Sequence, residues 1–391
     1  MPAAAQRTKA RGTAARILVR SDYAILGGAS VAVLLAALTR FVDTGQVLPF
    51  VCSAVAVTLL ASLVGRSVEQ LGDRFGPGAT GVLQSALGNL PELFIALFAL
   101  RAGLVGVVQA ALIGSILANL LLVLGLAFVV GGLRHGTQRL DSERARSIIV
   151  LMVLSVAAMV VPSLAHYVHT PAEPHEQTLS VIVSALLLLL FVVSLPASLR
   201  SRGGSGSQDG SGTGPEAGHG TGPATGSGEG DPMHREEPRW PVWLAVGLLT
   251  VAAVLAAFVS DWFVVALEPA MKALSISEAF AGLVVVAIAG NAVENVVGIQ
   301  LAAAGRSEYA FSVVINSPMQ IALVLAPLLV ILSQVFGFAA LTLVFPPMLV
   351  VSVAIAVVIA AFITFDGESN WIEGAALVTV YVVIAAAFWW G

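Results

Sequence analysis

The sequence predicts an all-α polytopic membrane protein of about 11 transmembrane helices, built as two inverted five-helix repeats plus an extra N-terminal helix. Three observations predict it. The 391 residues are 58% apolar and only 11% charged, with a mean hydropathy of +0.93, far from the roughly 25% charge of soluble chains. Apolar stretches long enough to cross a bilayer recur along the chain between short polar interruptions. A short polar motif inside these stretches recurs 202 residues later.

A bilayer core of about 30 Å needs roughly 20 apolar residues per helix. Eleven stretches qualify, at 23–42, 47–68, 79–100, 104–131, 146–165, 178–199, 241–265, 279–303, 310–335, 338–363 and 371–390. Residues 1–22 form a basic arm before the extra first helix at 23–42, and the arm plus that helix is read as uncleaved because no A-x-A pattern precedes Arg40. The first repeat covers 47–199 and the second 241–390. Between them, 200–240 is rich in Gly, Ser, Thr and Pro, the composition of a flexible linker.

Basic residues near span ends are retained in the cytoplasm. Placing the N-terminus inside puts sixteen Lys and Arg on one side, including Arg66, Arg74, Arg134, Arg139 and Arg306, against Arg40, Arg101 and Lys272 on the other. The N-terminus is therefore expected in the cytoplasm and, with an odd number of spans, the C-terminus outside. Arg139 to Arg146 reads as a solvated cytoplasmic loop, and Asp261 beside Trp262 as an interfacial anchor. The single cysteine, Cys52, excludes an intramolecular disulfide and any Cys-based metal cluster. A net charge of −4, with no basic face, gives no sign of a nucleic-acid partner.

The repeat carries the chemistry. Gly88-Asn89-Leu90-Pro91-Glu92 and Gly290-Asn291-Ala292-Val293-Glu294 are 202 residues apart, and Ser115 meets Ser317 at the same offset. The two copies lie five helices apart, an odd number, so they cross the membrane in opposite directions. Transporters of this design place substrate and coupling ion near the midplane, at helices interrupted by Gly or Pro. A carboxylate at such depth costs about 2.5–3.5 kcal/mol on insertion scales. Neither Glu92 nor Glu294 has a Lys or Arg near it in sequence, so each needs a cation, a proton, or the two in turn.

The surrounding side chains supply oxygen. Asn89 and Asn291 precede their glutamates by three residues, on the same helical face. Ser115 and Asn119 share a face of the fourth span, as do Asn316, Ser317 and Gln320 on the ninth. Oxygen ligands suit a hard divalent cation, and the lack of His and Cys at these positions argues against zinc or copper. Glu69 and Glu268, near span ends at related places in the two copies, are candidate mouth carboxylates.

The run G-N-L-P-E-L-F-I-A-L-F-A-L followed by G-S-I-L-A-N-L-L-L-V-L-G, and G-N-A-V-E-N followed by N-S-P-M-Q-I-A-L, resemble the signature repeats of calcium/proton exchangers in the calcium/cation antiporter superfamily. The resemblance implies a secondary transporter, not an enzyme. It would exchange cytoplasmic calcium for external protons across a bacterial plasma membrane, with Glu92 and Glu294 holding calcium or protons in alternation and no cofactor. Its partners would be calcium, protons and the lipid bilayer. Three departures stand out: Leu90-Pro91 where the family often has Ala-Thr, Asn295 where it often has His, and a linker without the usual acidic stretch. Sodium/calcium exchangers of the same superfamily are the alternative, although Gln320-Ile321 stands where they usually carry an aspartate. A cation channel is the other class, disfavoured by the inverted repeat and broken helices.

Overall fold

The computed structural model describes residues 18–75, 87–140, 142–201, 239–365 and 367–390. It is helical almost throughout. In chain order the helices are α1 (Arg20–Phe41), α2 (Leu48–Phe75), α3 (Leu90–Arg101), α4 (Val105–His135), α5 (Ser142–Tyr167), α6 (Glu176–Ser201), α7 (Val242–Leu274), α8 (Glu278–Gly290), α9 (Ala292–Ala303), α10 (Ser307–Val335), α11 (Pro347–Thr364) and α12 (Trp371–Phe388). Among the described residues nine helices are long and apolar enough to cross a membrane. A pair, Glu278–Gly290 with Glu294–Ala303, bent by 63°, makes a tenth crossing when counted as one broken span. The third predicted span is represented by α3 alone, because 76–86 lie outside the described residues.

The repeat is reproduced element by element. Leu90–Arg101 and Ala292–Ala303 have identical bounds at an offset of 202, and Val105 and Ser307 open the next helices at the same offset. Gly103 and Gly305, again 202 apart, turn the chain between them with φ of 81° and 77°, a region that Cβ-bearing residues rarely enter. Within α4 the backbone widens into a π-turn at Ala118–Val123, and within α10 at Ile321–Leu325, the matching place. Such bulges interrupt the i→i−4 ladder and cluster at functional sites.

Two strands, β1 (Gln138–Arg139) and β2 (Glu368–Ser369), pair antiparallel. They follow α4 and α11. The chain between them crosses six times if the bent α8–α9 pair counts once, so both strands reach the same face. Were the pair a re-entrant loop, they would lie on opposite faces and could not pair.

Several boundaries differ from the sequence expectation; α7, for one, runs on to Leu274 where the predicted span ends at 265. The predicted span 338–363 begins as a helix only at Pro347, because Pro346-Pro347 starts the helix and the residue before a proline disfavours helical ψ. Its first residues are neither helix nor strand, while Leu341, Leu343 and Phe345 are fully buried. Their backbone is satisfied by side chains: Ser333, Ser180 and Ser163 accept from the N–H of Leu341, Leu343 and Phe345, and Gln109 donates to the carbonyls of Thr342 and Val344. Non-helical backbone at this depth is tolerated only in such a protein-lined place.

At the other face, Arg239 and Trp240, read from sequence as linker, are tied down. Gln70 accepts from both backbone N–H groups, and Arg74 donates to the Trp240 carbonyl at 2.8 Å. The Trp240 indole lies 3.4 Å from Asp22, whose carboxylate pairs with Arg66 at 2.7 Å and accepts from the Val19 N–H. Helix α1 accordingly begins at Arg20, inside the stretch read as the basic arm. Residues 1–17 of that arm and 202–238 of the linker lie outside the described residues.

Candidate functional site

In both signature motifs the asparagine caps a new helix, and at Asn291 it also ends the one before. Asn89 is the N-cap of α3 and Asn291 the N-cap of α9, with backbone outside the helical region, so Glu92 and Glu294 each fall in the first turn of the half-helix that follows. A helix N-terminus presents unpaired N–H groups and the positive end of the backbone dipole, which favour negative charge. Pro91 sits in that first turn, where its missing N–H costs no intrahelical bond.

Around the breaks the two repeats meet in a buried polar cluster. The Ser115 hydroxyl donates to Glu92 Oε1 through a short hydrogen bond and accepts from Asn291 Nδ2 at 2.8 Å. Asn291 Oδ1 accepts from the Ser317 hydroxyl at 3.2 Å and from Asn119 Nδ2 at 3.3 Å. Asn119 Nδ2 also reaches the Ser115 carbonyl at 2.9 Å and Ser317 Oγ at 3.2 Å. Glu92, Ser115, Asn119, Asn291 and Ser317 are all buried. The π-turn in α4 carries Asn119, and the one in α10 follows directly on Gln320.

The order of donors is informative. Asn291 has no proton to give at its carbonyl, so it takes those of Ser317 and Asn119 there and gives from its amide to Ser115. That leaves the Ser115 hydroxyl hydrogen for Glu92 Oε1. The other oxygen, Glu92 Oε2, makes no hydrogen bond within the described residues, nor do the buried oxygens of Asn119 and Asn295. An unpaired buried carboxylate oxygen demands a proton or a cation.

Glu294 is half-buried, in the first turn of α9. Among the described residues no three of His, Cys, Asp and Glu gather at one place, so the charge here is that of two carboxylates amid neutral amides and hydroxyls. That donor set suits a hard divalent ion or a pair of protons.

The remaining candidates stand apart from this network. Asn89 and Gln320 are half-buried, and so is Asn316, whose amide lies 3.5 Å from Ser312 Oγ. Glu268 is exposed and paired with Lys272 at 2.7 Å; Glu69 is exposed near the end of α2. One oxygen was not among the ligands expected from the sequence. Asn295, marked there only as standing where the family often has His, offers a buried carbonyl oxygen. Gly290 packs beside Glu92, where an added Cβ would make ordinary van der Waals contact at 3.4 Å.

The model of the sodium/calcium exchanger protein family matches residues 45–199 and 244–390. A Ca(2+)/H(+) antiporter of Aphanothece halophytica is 34% identical over 341 residues, 87% of this chain and 89% of that one. The Ca(2+)/H(+) antiporter ChaA of Bacillus subtilis is 34% identical over 340 residues, 87% and 91% of the two chains. The solved structure of native YfkE superposes with a TM-score of 0.76 at 30% identity, over 93% of this chain and 99% of that one. A sodium-calcium exchanger structure, at 18% identity and a TM-score of 0.53 over 91% and 99%, shares the fold.

Proposed function

The chain belongs to the sodium/calcium exchanger protein family, and from that premise we propose that it exchanges cytoplasmic calcium for external protons by alternating access. One observation carries the reading: two glutamates, 202 residues apart, sit in the first turns of matching half-helices, and one of them, Glu92, joins a buried polar cluster built from both repeats and keeps an unpaired oxygen. The relatives whose names describe calcium/proton antiport, alike over almost nine-tenths of this chain, support the choice of ions.

In this mechanism the N-terminus lies in the cytoplasm of a bacterial cell and the C-terminus outside, following the Lys and Arg bias. Calcium enters between ionised Glu92 and Glu294, with the oxygens of Asn119, Asn295 and the helix breaks completing its shell. Ser115 holds Glu92 Oε1 in place throughout. When the halves rock outward, protons neutralise both carboxylates and release the ion; the protonated site then returns. Two bare carboxylates facing one another in a dry site are too costly to move, and that cost couples the fluxes.

The test is calcium uptake into everted vesicles driven by an acid interior. Glu92→Gln and Glu294→Gln are each expected to abolish it, and sustained uptake in either would overturn the mechanism. Proteoliposomes given a proton gradient alone, then a sodium gradient alone, distinguish the coupling ion; uptake is expected with the first only.

A further inference from the structure

A narrow crevice opens beside Glu92 between α3 and α4, with α8 closing its third side. Its walls are Ile95, Ala96 and Ala99 on α3, Val107 and Ala111 on α4, and Val286 on α8. They are apolar without exception, and the space, about 10 Å³, admits roughly a single water. The crevice lies on one side of the site only. From Glu92, Ile95, Ala96 and Ala99 climb α3 toward the Gly103 turn, and Val107 and Ala111 descend α4 from that turn to Ser115. In the orientation proposed above, the turn faces outside.

Three further contacts mark this end of the molecule. Glu278, at the outer start of α8, is exposed and lies against Gly106, where a Cβ would sit 3.0 Å from its carboxylate. Gln109 of α4 donates to two carbonyls of the segment before Pro346, and Ala339 of that segment donates to the Leu100 carbonyl of α3. Both walls are thus hydrogen-bonded to one segment, the chain before Pro346. The crevice ends on a carboxylate with an unpaired buried oxygen, and a second carboxylate, Glu278, lies against Gly106 toward the same end of the molecule.

We propose that this crevice is the external gate of the transport path and that it is held shut by dewetting. A hydrophobic constriction about one water wide is unfavourable for a hydrated ion and holds no continuous water file for protons. Among the described residues no ion pair spans it, and the small side chains of Ala96, Ala99 and Ala111 define its bore. The inference rests on the exchange reading for its direction, and it adds what stops protons from crossing when no calcium is carried.

The gate is testable because the chain has one native cysteine, Cys52. In a Cys52→Ala background, Ala99→Cys is exposed from outside to a membrane-impermeant cationic methanethiosulfonate. Labelling is expected to accelerate by at least about ten-fold when cytoplasmic calcium and an inward proton gradient drive turnover. Equal labelling at rest and in turnover, or none while the variant transports, would overturn the gate. Ala96→Cys serves as the second reporter where Ala99→Cys fails to transport. Ala99→Ser, which adds a hydroxyl to the throat, is expected to raise calcium-independent proton leak by about ten-fold; an unchanged leak would also overturn it. Exchange by the unmodified protein in the same vesicles tests the underlying reading separately.

Discussion

Ser115 shows how one hydroxyl serves both repeats: it donates to Glu92 of the first and accepts from Asn291 of the second. Ser115→Ala leaves two buried groups unsatisfied, each worth about 1–3 kcal/mol, so calcium uptake should fall by about ten-fold or more while the protein remains folded by size-exclusion profile. Protons and calcium compete for the same carboxylates in the proposed cycle. Lowering cytoplasmic pH is therefore expected to raise the calcium concentration needed for half-maximal uptake; a concentration independent of pH would separate the two sites. At this scale the sequence was informative where chemistry repeats. Glu92, Asn291, Ser115 and Ser317 stood out because they recur in step, whereas Asn295 has no repeated counterpart and its buried oxygen emerged only from packing.

Elements meet here through missing side chains. Gly114 of α4 lies against the backbone of Leu283, where a Cβ would come within 2.3 Å of the carbonyl oxygen, and Gly282 of α8 lies as close to the carbonyl of Val107. Backbone cannot yield as a side-chain tip does. Gly114→Ala and Gly282→Ala should each cost about 1–3 kcal/mol and lower the thermal unfolding temperature measured in detergent. A second junction joins α1, α2 and the start of α7 through Asp22, Arg66, Gln70, Arg74 and Trp240. Asp22→Ala removes the acceptor of Arg66, Trp240 and the Val19 N–H together, and should lower the same temperature. Hydropathy located the helices but misplaced the start of α11. Leu341, Leu343 and Phe345 are as apolar as any span, and an apolar run does not reveal that serines elsewhere in the fold satisfy its backbone.

For the molecule as a whole, the β1–β2 ladder and the Lys and Arg bias describe the same alternation. A reporter fused at the C-terminus that fluoresces only in the cytoplasm should stay dark, and one at the N-terminus should shine. The sequence alone determined the class, the inverted repeat and the pair of glutamates, because each follows from a local property: hydropathy over about twenty residues, parity of crossings, and charge with no neutralising neighbour. Tertiary structure decided what depends on which helices touch. It made Asn291 the link between Ser115 and Ser317, left one oxygen of Glu92 unpaired, and lined the crevice beside it with apolar side chains. Those are properties of contacts between residues as far as 176 positions apart, and only packing brings such residues together.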